Sequence, residues 1–148
     1  MDTHSKAQRS FNMSRIKSRD TTPEMIVRRL LFSMGYRYRV NAKKLPGKPD
    51  IVFTRKRKAI FVHGCFWHRH SACRYTTMPK TNTDFWKNKF ERTQERDKEN
   101  CRSLKAMDWD YLIIWECTVK EIKTSSLKKQ LYEFLDGNFS KAVKSTDN

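Results

Sequence analysis

Metal-binding side chains are concentrated in one short segment of the sequence. Cys65, His70 and Cys73 lie within nine residues, and Cys117 follows a distant apolar run. Thiolate and imidazole groups in a tetrahedral set are typical of structural zinc sites. We therefore predict that Cys65, His70, Cys73 and Cys117 hold one Zn²⁺, which would stabilise a loop of low apolar content. Free thiols are the alternative, and the spacing also allows His68 to replace His70 as the nitrogen ligand.

Two further histidines flank the same segment and have no ligand role in that assignment. His63 and His68 are candidates for catalysis, because an imidazole exchanges protons near neutral pH. Phe66 and Trp67 lie between them. These aromatics are either ordinary core residues or, in a basic protein, groups that stack on DNA bases or wedge between them.

An acidic residue interrupts the apolar face of a predicted long helix. At about 100° per residue, Asp97 falls on one stripe with Trp86, Phe90, Cys101 and Leu104. A carboxylate in such surroundings needs a partner. Two interpretations stay open: a structural cap or ion pair, and a group that orients a catalytic histidine. Cys101 is interpreted as a core thiol.

A second acidic residue stands at the start of a predicted strand. The segment KLPGKPDIVF, residues 44–53, places Asp50 after a Pro-Gly turn and directly before an apolar run. A carboxylate at such a position can hold Mg²⁺ against a phosphate group.

The periodicity of apolar residues predicts an α/β fold in which helices and strands are mixed. We expect a first helix that begins at Thr21 and Thr22 and ends at Gly35, with the apolar face Ile26, Val27, Leu30, Leu31 and Met34. A long helix should cover residues 83–107, and a final helix should carry Leu127, Leu131, Phe134 and Leu135. Strands are predicted at residues 36–40, 51–53, 59–62 and 111–115, with a hairpin turn at 55–58 and a loop at 63–79.

The charge of the chain points to a polyanionic partner. The 148 residues include 32 Lys and Arg against 16 Asp and Glu, which gives a net charge of +16. Such a field attracts nucleic acid, although a merely soluble basic protein would share it. The length suits one domain at residues 21–137, flanked by a basic N-terminal arm at 1–20 and a tail at 138–148. No apolar run could cross a membrane, so we expect a cytoplasmic protein without membrane contact.

Several motifs together resemble one nuclease family. The Pro-Asp pair before the second strand is similar to the opening of the restriction-endonuclease-like site, but the acid-x-Lys element expected on the next strand is absent. That strand instead ends in HGCFWH, residues 63–68, and a distant Trp-Glu-Cys follows at 115–117. This combination, with Asp84-Phe85-Trp86 and Glu95-Arg96-Asp97 between, resembles the Vsr family of very-short-patch mismatch repair endonucleases. The resemblance implies a restriction-endonuclease-like mixed β-sheet flanked by helices, with a structural zinc loop.

The same resemblance implies roles for individual residues. Asp50 and the backbone carbonyl of Val62, where a Thr is familiar, would bind Mg²⁺, and a second Mg²⁺ would sit mainly on phosphate and water. His68 would activate the attacking water, and Asp97 would orient His68. His63 and Glu24 would support the phosphate and the waters around the metal, although Glu24 also suits the start of a helix. The aromatic wedge beside a T:G mismatch would consist of Phe66, Trp67 and Trp86. The zinc loop is one residue longer than expected between His70 and Cys73.

Three functions remain compatible with these features. The first is a monomeric Mg²⁺-dependent enzyme that nicks double-stranded DNA 5′ to the T of a T:G mismatch arising from deamination of 5-methylcytosine. It implies links to a cytosine-5 DNA methyltransferase and to mismatch repair proteins. The second is a sequence-specific nickase or restriction enzyme that needs no mismatch. The third is a zinc-stabilised DNA-binding module without catalysis, which would not require Asp50, His68 and Asp97 together.

Overall fold

A mixed four-stranded sheet with helices on both faces forms residues 21–137, the part of the chain that the computed structural model describes. The elements follow in the order α1 (Thr22–Ser33), β1 (Arg39–Val40), β2 (Ile51–Phe53), β3 (Lys58–His63), α2 (Cys65–His68), α3 (Thr83–Ala106), β4 (Asp110–Trp115), α4 (Glu116–Glu121) and α5 (Thr124–Asp136). The predicted α/β class and the flanking helices are confirmed. The predicted arm and tail, residues 1–20 and 138–148, lie outside the described residues.

The strands lie in the order β1-β2-β3-β4. β2 pairs antiparallel with both β1 and β3, and the hairpin predicted at residues 55–58 is confirmed. β4 returns through α3 and pairs parallel with β3 over six residue pairs. None of the helices between residues 21 and 137 combines the length and apolar character that crossing a bilayer demands.

Alternate residues of the strands supply two separate cores, because successive side chains of a strand point to opposite faces. One face carries Ile51, Phe53, Ile60 and Ile114, and α1, α4 and α5 cover it. The predicted apolar face of the last helix is confirmed, since Leu127, Leu131, Phe134 and Leu135 are all buried there. The other face carries Val52, Ala59 and Phe61 and packs against Leu104 in the last turn of α3 and against Trp109, which directly precedes β4.

The first helix begins as predicted, but the strand that was expected at residues 36–40 is shorter than predicted and covers only Arg39–Val40. Thr21 is the N-cap, and its hydroxyl accepts the Glu24 N–H at 3.4 Å. After Gly35, which has φ +93°, the Tyr36 N–H donates to the carbonyl of Leu31 at 3.1 Å. This helix-ending bond leaves only Arg39–Val40 to pair with β2. The apolar face is also narrower than predicted, because Ile26 is 40% exposed.

Two short helices were not predicted. The segment expected as a loop at 63–79 begins with α2, whose turn is closed by the His68 N–H bonded to the carbonyl of Gly64 at 3.1 Å. The chain also enters α4 directly after β4. Elements of four and six residues are too short to show a helical period in the sequence. The long helix, by contrast, was predicted to within one residue of its observed end.

The turn before Asp50 requires a glycine. Gly47 has φ +78°, and an added Cβ would lie 3.0 Å from the Cβ of Asn100 in α3 and 3.0 Å from a ring carbon of Phe61. The turn therefore packs its backbone directly against α3 and β3. This close approach fixes the position of Asp50, three residues further along the chain.

The two left-handed glycines provide a matched test of that packing. A Cβ added at Gly35 would meet no atom within 4 Å, whereas one added at Gly47 would meet three. We expect Gly35→Ala to lower the free energy of unfolding by about 1–2 kcal/mol, the cost of a left-handed alanine. Gly47→Ala should cost about 1–3 kcal/mol more, because its methyl group overpacks the turn. Urea unfolding measures both, and equal losses would contradict the close approach.

Candidate active site and metal centre

The parallel register of β3 and β4 brings two cysteines together. His63 pairs with Trp115 at the ends of these strands, and each strand is followed two positions later by a cysteine, Cys65 and Cys117. Neighbouring strands lie about 4.8 Å apart, so residues at equal offsets beyond them remain close. The Cys117 N–H accordingly lies 3.4 Å from Sγ of Cys65.

His70 and Cys73 complete a group of four ligands around this point. Nδ1 of His70 lies 3.7 Å from Sγ of Cys65 and 3.4 Å from Sγ of Cys117. One ligand atom from each of the four residues lies within 4.8 Å of the others. Around a zinc ion with Zn–S bonds of about 2.3 Å, tetrahedral ligand atoms are separated by about 3.8 Å. The three thiols and one imidazole therefore fit a closed tetrahedral zinc site.

The two candidate nitrogen ligands face different neighbours. Arg69, which separates His68 from His70, has φ +54° in the left-handed region, and it turns the chain between them. His70 joins the cysteines and His68 does not. The hydroxyl of Thr76 stabilises the loop, because it donates hydrogen bonds to the carbonyls of Cys65 at 3.2 Å and of His70 at 2.8 Å. Cys101 lies outside the group in α3, where burial raises the pKa of its thiol.

Asp50 lies immediately before β2, at the point where the neighbouring strand β3 extends beyond the first residue of β2. The last pair between these strands joins Ile51 to Ile60. The β3 residues that follow therefore have no backbone pairing with β2 on the side towards Asp50. The carboxylate of Asp50 accepts the Val62 N–H at 2.7 Å. The acid before β2 is thereby held against the backbone of Val62, whose carbonyl was predicted as a metal ligand.

Glu24 approaches Asp50 from the first turn of α1. Its side chain is almost completely buried, with 1% exposure, and Arg28 one turn later forms an ion pair with it. Burial, together with the charge and hydrogen bond of Glu24, raises the pKa of Asp50 to about 7, while the Val62 N–H and His68 act in the opposite direction. Two carboxyl groups in one buried place favour protonation or a cation between them.

His68 and Asp97 form a pair at the edge of the same space. Nδ1 of His68 lies 2.7 Å from a carboxylate oxygen of Asp97, and both side chains are about one quarter exposed. A carboxylate can only accept, so Nδ1 is the donor in this contact, and a ring that carries a single proton would leave Nε2 as an acceptor. The acid on the apolar stripe of α3 therefore has a histidine partner, as one of the two sequence interpretations required.

His63 lies beneath this pair as a neutral ring. Its ring stacks on that of His68 with a centroid separation of 3.8 Å and an interplanar angle of 7°. Burial, and secondarily the nearby His68, lowers the pKa of His63 to about 3. Within residues 21–137 its Nδ1 has no hydrogen-bond partner. His63 is thus placed to support the ring of His68 by packing.

Asp50, His63, His68 and Asp97 line one cavity of about 420 Å³. The lining of this cavity also contains residues that no motif in the sequence had indicated: Asn41, Lys43, Lys48 and Asn100. Two signals could have revealed them. Lys48 lies two positions before Asp50, and Asn100 lies three positions after Asp97, on the same face of a helix. The exposed ammonium groups of Lys43 and Lys48 give this lining a positive charge suited to phosphate.

The aromatic residues form a ridge and not a buried core. Phe66, Trp67 and Trp86 are each half-buried, and their ring centroids lie 5.1 to 6.0 Å apart. Phe90 lies beneath them and is buried. Phe85, beside Trp86, is 54% exposed. Three large rings that present part of their surface to solvent next to a cationic cavity are suited to contact nucleic acid bases.

The arrangement supports hydrolysis of a phosphodiester. It combines the half-buried Asp50 beside the buried Glu24, a pair that favours a cation, with an oriented histidine that can accept a proton and lysines that attract phosphate. The four-ligand group lies apart from this cavity and leaves no position for substrate, as in structural metal sites.

Comparison with known proteins agrees with this chemistry. A family model described as DNA mismatch endonuclease Vsr matches residues 1–74. The type II nicking enzyme V.XorIIP of Xanthomonas oryzae pv. oryzae is 41% identical over 135 residues, covering 91% of this chain and 97% of that protein. The type II nicking enzyme V.NmeAIP of Neisseria meningitidis is 44% identical over 119 residues, covering 80% and 84%. The DNA mismatch endonuclease Vsr of Escherichia coli is 39% identical over 144 residues, covering 95% and 92%.

These similarities extend well beyond the HGCFWH segment that first indicated the family. The family model covers half of the chain, and two of the relatives align with more than nine tenths of it. The resemblance predicted from the motifs is confirmed. The chain belongs to the Vsr family of DNA mismatch endonucleases and is a DNA endonuclease.

Proposed function

We propose that this protein is a Mg²⁺-dependent endonuclease with a restriction-endonuclease-like fold that nicks duplex DNA 5′ to the T of a T:G mismatch. The observation that carries the proposal is the convergence of Asp50 and the His68–Asp97 pair on one cavity, from three elements distant in sequence. A domain that only binds DNA has no need to orient a histidine with a carboxylate beside a second, buried carboxylate. This argues against the non-catalytic module.

Asp50 and the main-chain carbonyl of Val62 would hold the Mg²⁺. The N–H and C=O of one strand residue point to the same side, and the Val62 N–H points to Asp50. The bound ion would offset the charge of the scissile phosphate. Glu24 forms an ion pair with Arg28 and would support the Asp50 side chain from the side of α1.

His68 would act as the general base. Its Nε2 would take a proton from the attacking water as the water oxygen bonds to phosphorus and the bond to the leaving sugar oxygen breaks. A water molecule from solvent then gives a proton to that oxygen, and His68 returns its proton to solvent. Asp97 would stabilise the positive charge that His68 acquires, and the stacked ring of His63 would hold the imidazole in place. Lys43 and Lys48 would attract the phosphates of the strand being cut.

Mismatch selection is assigned to the ridge of Phe66, Trp67 and Trp86. Insertion of aromatic rings unstacks a base step at a cost of a few kcal/mol, which is lower where the pair is already mismatched. We further propose that the enzyme acts as a monomer and that the basic residues 1–20 add phosphate contacts. T:G mismatches arise by deamination of 5-methylcytosine, so the proposal links the protein to a cytosine-5 DNA methyltransferase and to mismatch repair proteins.

A second candidate is a nickase that needs no mismatch, because two of the relatives are named type II nicking enzymes. Competing nicking assays on T:G and T:A duplexes of identical sequence, in Mg²⁺, separate the two. We expect cleavage of the T:G duplex alone, 5′ to the T. Equal cleavage of both duplexes would establish the second candidate, and cleavage of neither would overturn the nuclease proposal.

Replacement of Asp50 should separate catalysis from stability. Asp50→Asn should abolish nicking and leave T:G DNA bound, because it removes the metal ligand and little else. Its raised pKa of about 7 means that ionisation of Asp50 costs the folded protein stability as the pH rises from about 4 to 7, and the full cost persists above 7. Asp50→Asn should therefore be more stable than the parent protein at pH 8 without added Mg²⁺, and the advantage should vanish near pH 4.

Urea unfolding at pH 8 and pH 4, with and without Mg²⁺, measures this effect. Added Mg²⁺ should stabilise the parent protein and leave Asp50→Asn unchanged, since ligands stabilise only the state that binds them. A parent protein that is more stable than Asp50→Asn at pH 8 before Mg²⁺ is added would contradict the buried carboxylate pair.

Substitutions in the His68–Asp97 pair should lower the nicking rate to different degrees. His68→Ala should lower the single-turnover nicking rate by about 10²- to 10⁴-fold, the usual contribution of a general base. Asp97→Asn keeps the size of the side chain but loses the charge, so we expect a smaller loss. Both variants should bind T:G DNA normally and keep their zinc. Release of zinc from His68→Ala would show that His68, and not His70, is a structural ligand.

The metal centre should contain about one zinc per chain by elemental analysis of the purified protein. Cys117→Ser should lose the zinc and destabilise the loop, since ligand loss removes the free energy of binding that holds it. Cys101→Ser, outside the cluster, is the matched control and should keep the metal. Full activity in a protein free of zinc would rule out this site.

The loss of a ring from the aromatic ridge should weaken binding to one DNA substrate more than to the other. Trp67→Ala should weaken binding to T:G DNA more than binding to the matched duplex, because the mispaired step is the easier one to unstack. Fluorescence anisotropy with both duplexes measures the ratio of the two dissociation constants. An unchanged ratio would show that Trp67 makes only general contacts.

A further inference from the structure

An unbroken series of rings connects the metal centre with the catalytic pair. The ring of His70 stacks on that of Trp115 at 4.2 Å and 11°. Trp115 meets His63 edge to face at 5.3 Å and 75°. His63 stacks on His68 at 3.8 Å and 7°, and His68 lies 2.7 Å from Asp97. Trp115 is the contact between the two halves of this series.

The backbone fixes Trp115 at this point. It is the last residue of β4, it pairs with His63 in the parallel register, and it is the N-cap residue of α4. Cys117, two positions later, belongs to the metal centre. The side chain of Trp115 is thus attached to an element that is anchored by the sheet on one side and by the cysteines on the other.

His63 depends on such packing for its position. Its Nδ1 has no hydrogen-bond partner within residues 21–137, so no polar contact at that atom sets the rotation of the ring. His68 covers one face, and Trp115 and Phe61 contact it from other directions. A change at Trp115 therefore shifts the surface on which the ring of His68 rests.

We propose that Trp115 is a positioning residue that couples the cysteine–histidine metal centre to the catalytic histidine through His63. Zinc bound to His70 fixes that imidazole ring, the ring holds Trp115, and Trp115 holds the His63–His68 stack. Removal of the metal therefore alters the geometry of His68. This inference rests on the proposed function for its effect on nicking. The coupling between the rings stands by itself.

The variants Trp115→Ala and Trp115→Phe test the coupling. Displacement of a catalytic group by about 1 Å can cost about 10²-fold in rate, so we expect Trp115→Ala to lower the single-turnover nicking rate at saturating T:G DNA by about 10- to 100-fold. Its affinity for T:G DNA should change by less than about twofold and its zinc content should remain near one. Trp115→Phe keeps an aromatic face and should recover much of the rate.

Trp109→Phe serves as the matched control. Trp109 precedes β4, at the opposite end of that strand from Trp115, and is buried with Val52, Ala59 and Leu104, so its substitution tests general loosening of the fold. We expect destabilisation in urea with a normal nicking rate. If Trp109→Phe slows nicking as much as Trp115→Ala does, the effect of Trp115 is only structural and the proposal fails.

NMR spectra of ¹⁵N-histidine-labelled protein supply a readout independent of nicking. Removal of zinc from the parent protein should shift the ring signals of His63 and His68 as well as those of His70. In Trp115→Ala the shifts of His63 and His68 should largely disappear, and in Trp115→Phe they should be reduced. If the ring signals of His63 and His68 in the parent protein do not shift when zinc is removed, the coupling is overturned. A parent protein that shows the coupling but cuts no T:G DNA would overturn the proposed function alone.

Discussion

The parallel pairing of β3 with β4 is the constraint on which both sites depend. Because His63 pairs with Trp115, the residues that follow each strand diverge from a common edge of the sheet. One branch carries Cys65 and the helix with His68, and the other carries Cys117. A slip of one residue would reverse the faces of all β4 side chains and separate the cysteines at the same time. The two cores and the metal centre therefore enforce the same register.

The carboxyl groups of the candidate site lower the stability of the folded state. Asp50 and Glu24 bring two carboxyl groups close together at the inner end of the cavity, where Arg28 forms an ion pair with Glu24 and the Val62 N–H and the charge of His68 act on Asp50. Buried charges are tolerated when partners or metal ions compensate them. The hydrophobic packing of α1 and α5 against β2 and β3 supplies the stability that allows this arrangement. A carboxylate that lowers stability in the absence of a cation is what a metal-binding position requires.

The sequence predicted the larger elements because their signals are repetitive. The 24 residues of α3 and the apolar faces of α1 and α5 extend over several turns, and the hairpin between β2 and β3 has a polar turn between two apolar runs. The strand expected at 36–40 was predicted too long, because alternation in the sequence cannot reveal that the Tyr36 N–H is bonded to the carbonyl of Leu31. The helices α2 and α4 depend on tertiary contacts around the cysteines, which a local pattern does not contain.

The candidate site was predictable to a similar degree. Residue type and spacing selected Asp50, His68 and Asp97, and the helical period showed that Asp97 needed a partner. The choice between His68 and His70 could not be made from spacing, since it depends on the left-handed backbone of Arg69. The cationic lining formed by Lys43 and Lys48 was missed because charged residues are abundant in this chain. In a protein with 32 Lys and Arg, the type of residue alone does not distinguish a binding position from a solvated one.

The end of β3 shows why the proposed proton acceptor lies on α2. Restriction-endonuclease-like sites carry an acid and a lysine on this strand, but here β3 ends in Phe61, Val62 and His63. The position of His63 is 7% exposed, and burial there strongly disfavours a positive charge. A neutral ring suits that environment, and the proposed proton acceptor lies one layer further out, at the partly exposed His68. The orientation of that acceptor is then set by Asp97 from α3 and by the rings beneath it, so the proposed chemistry depends on the packing of α2 between two other elements.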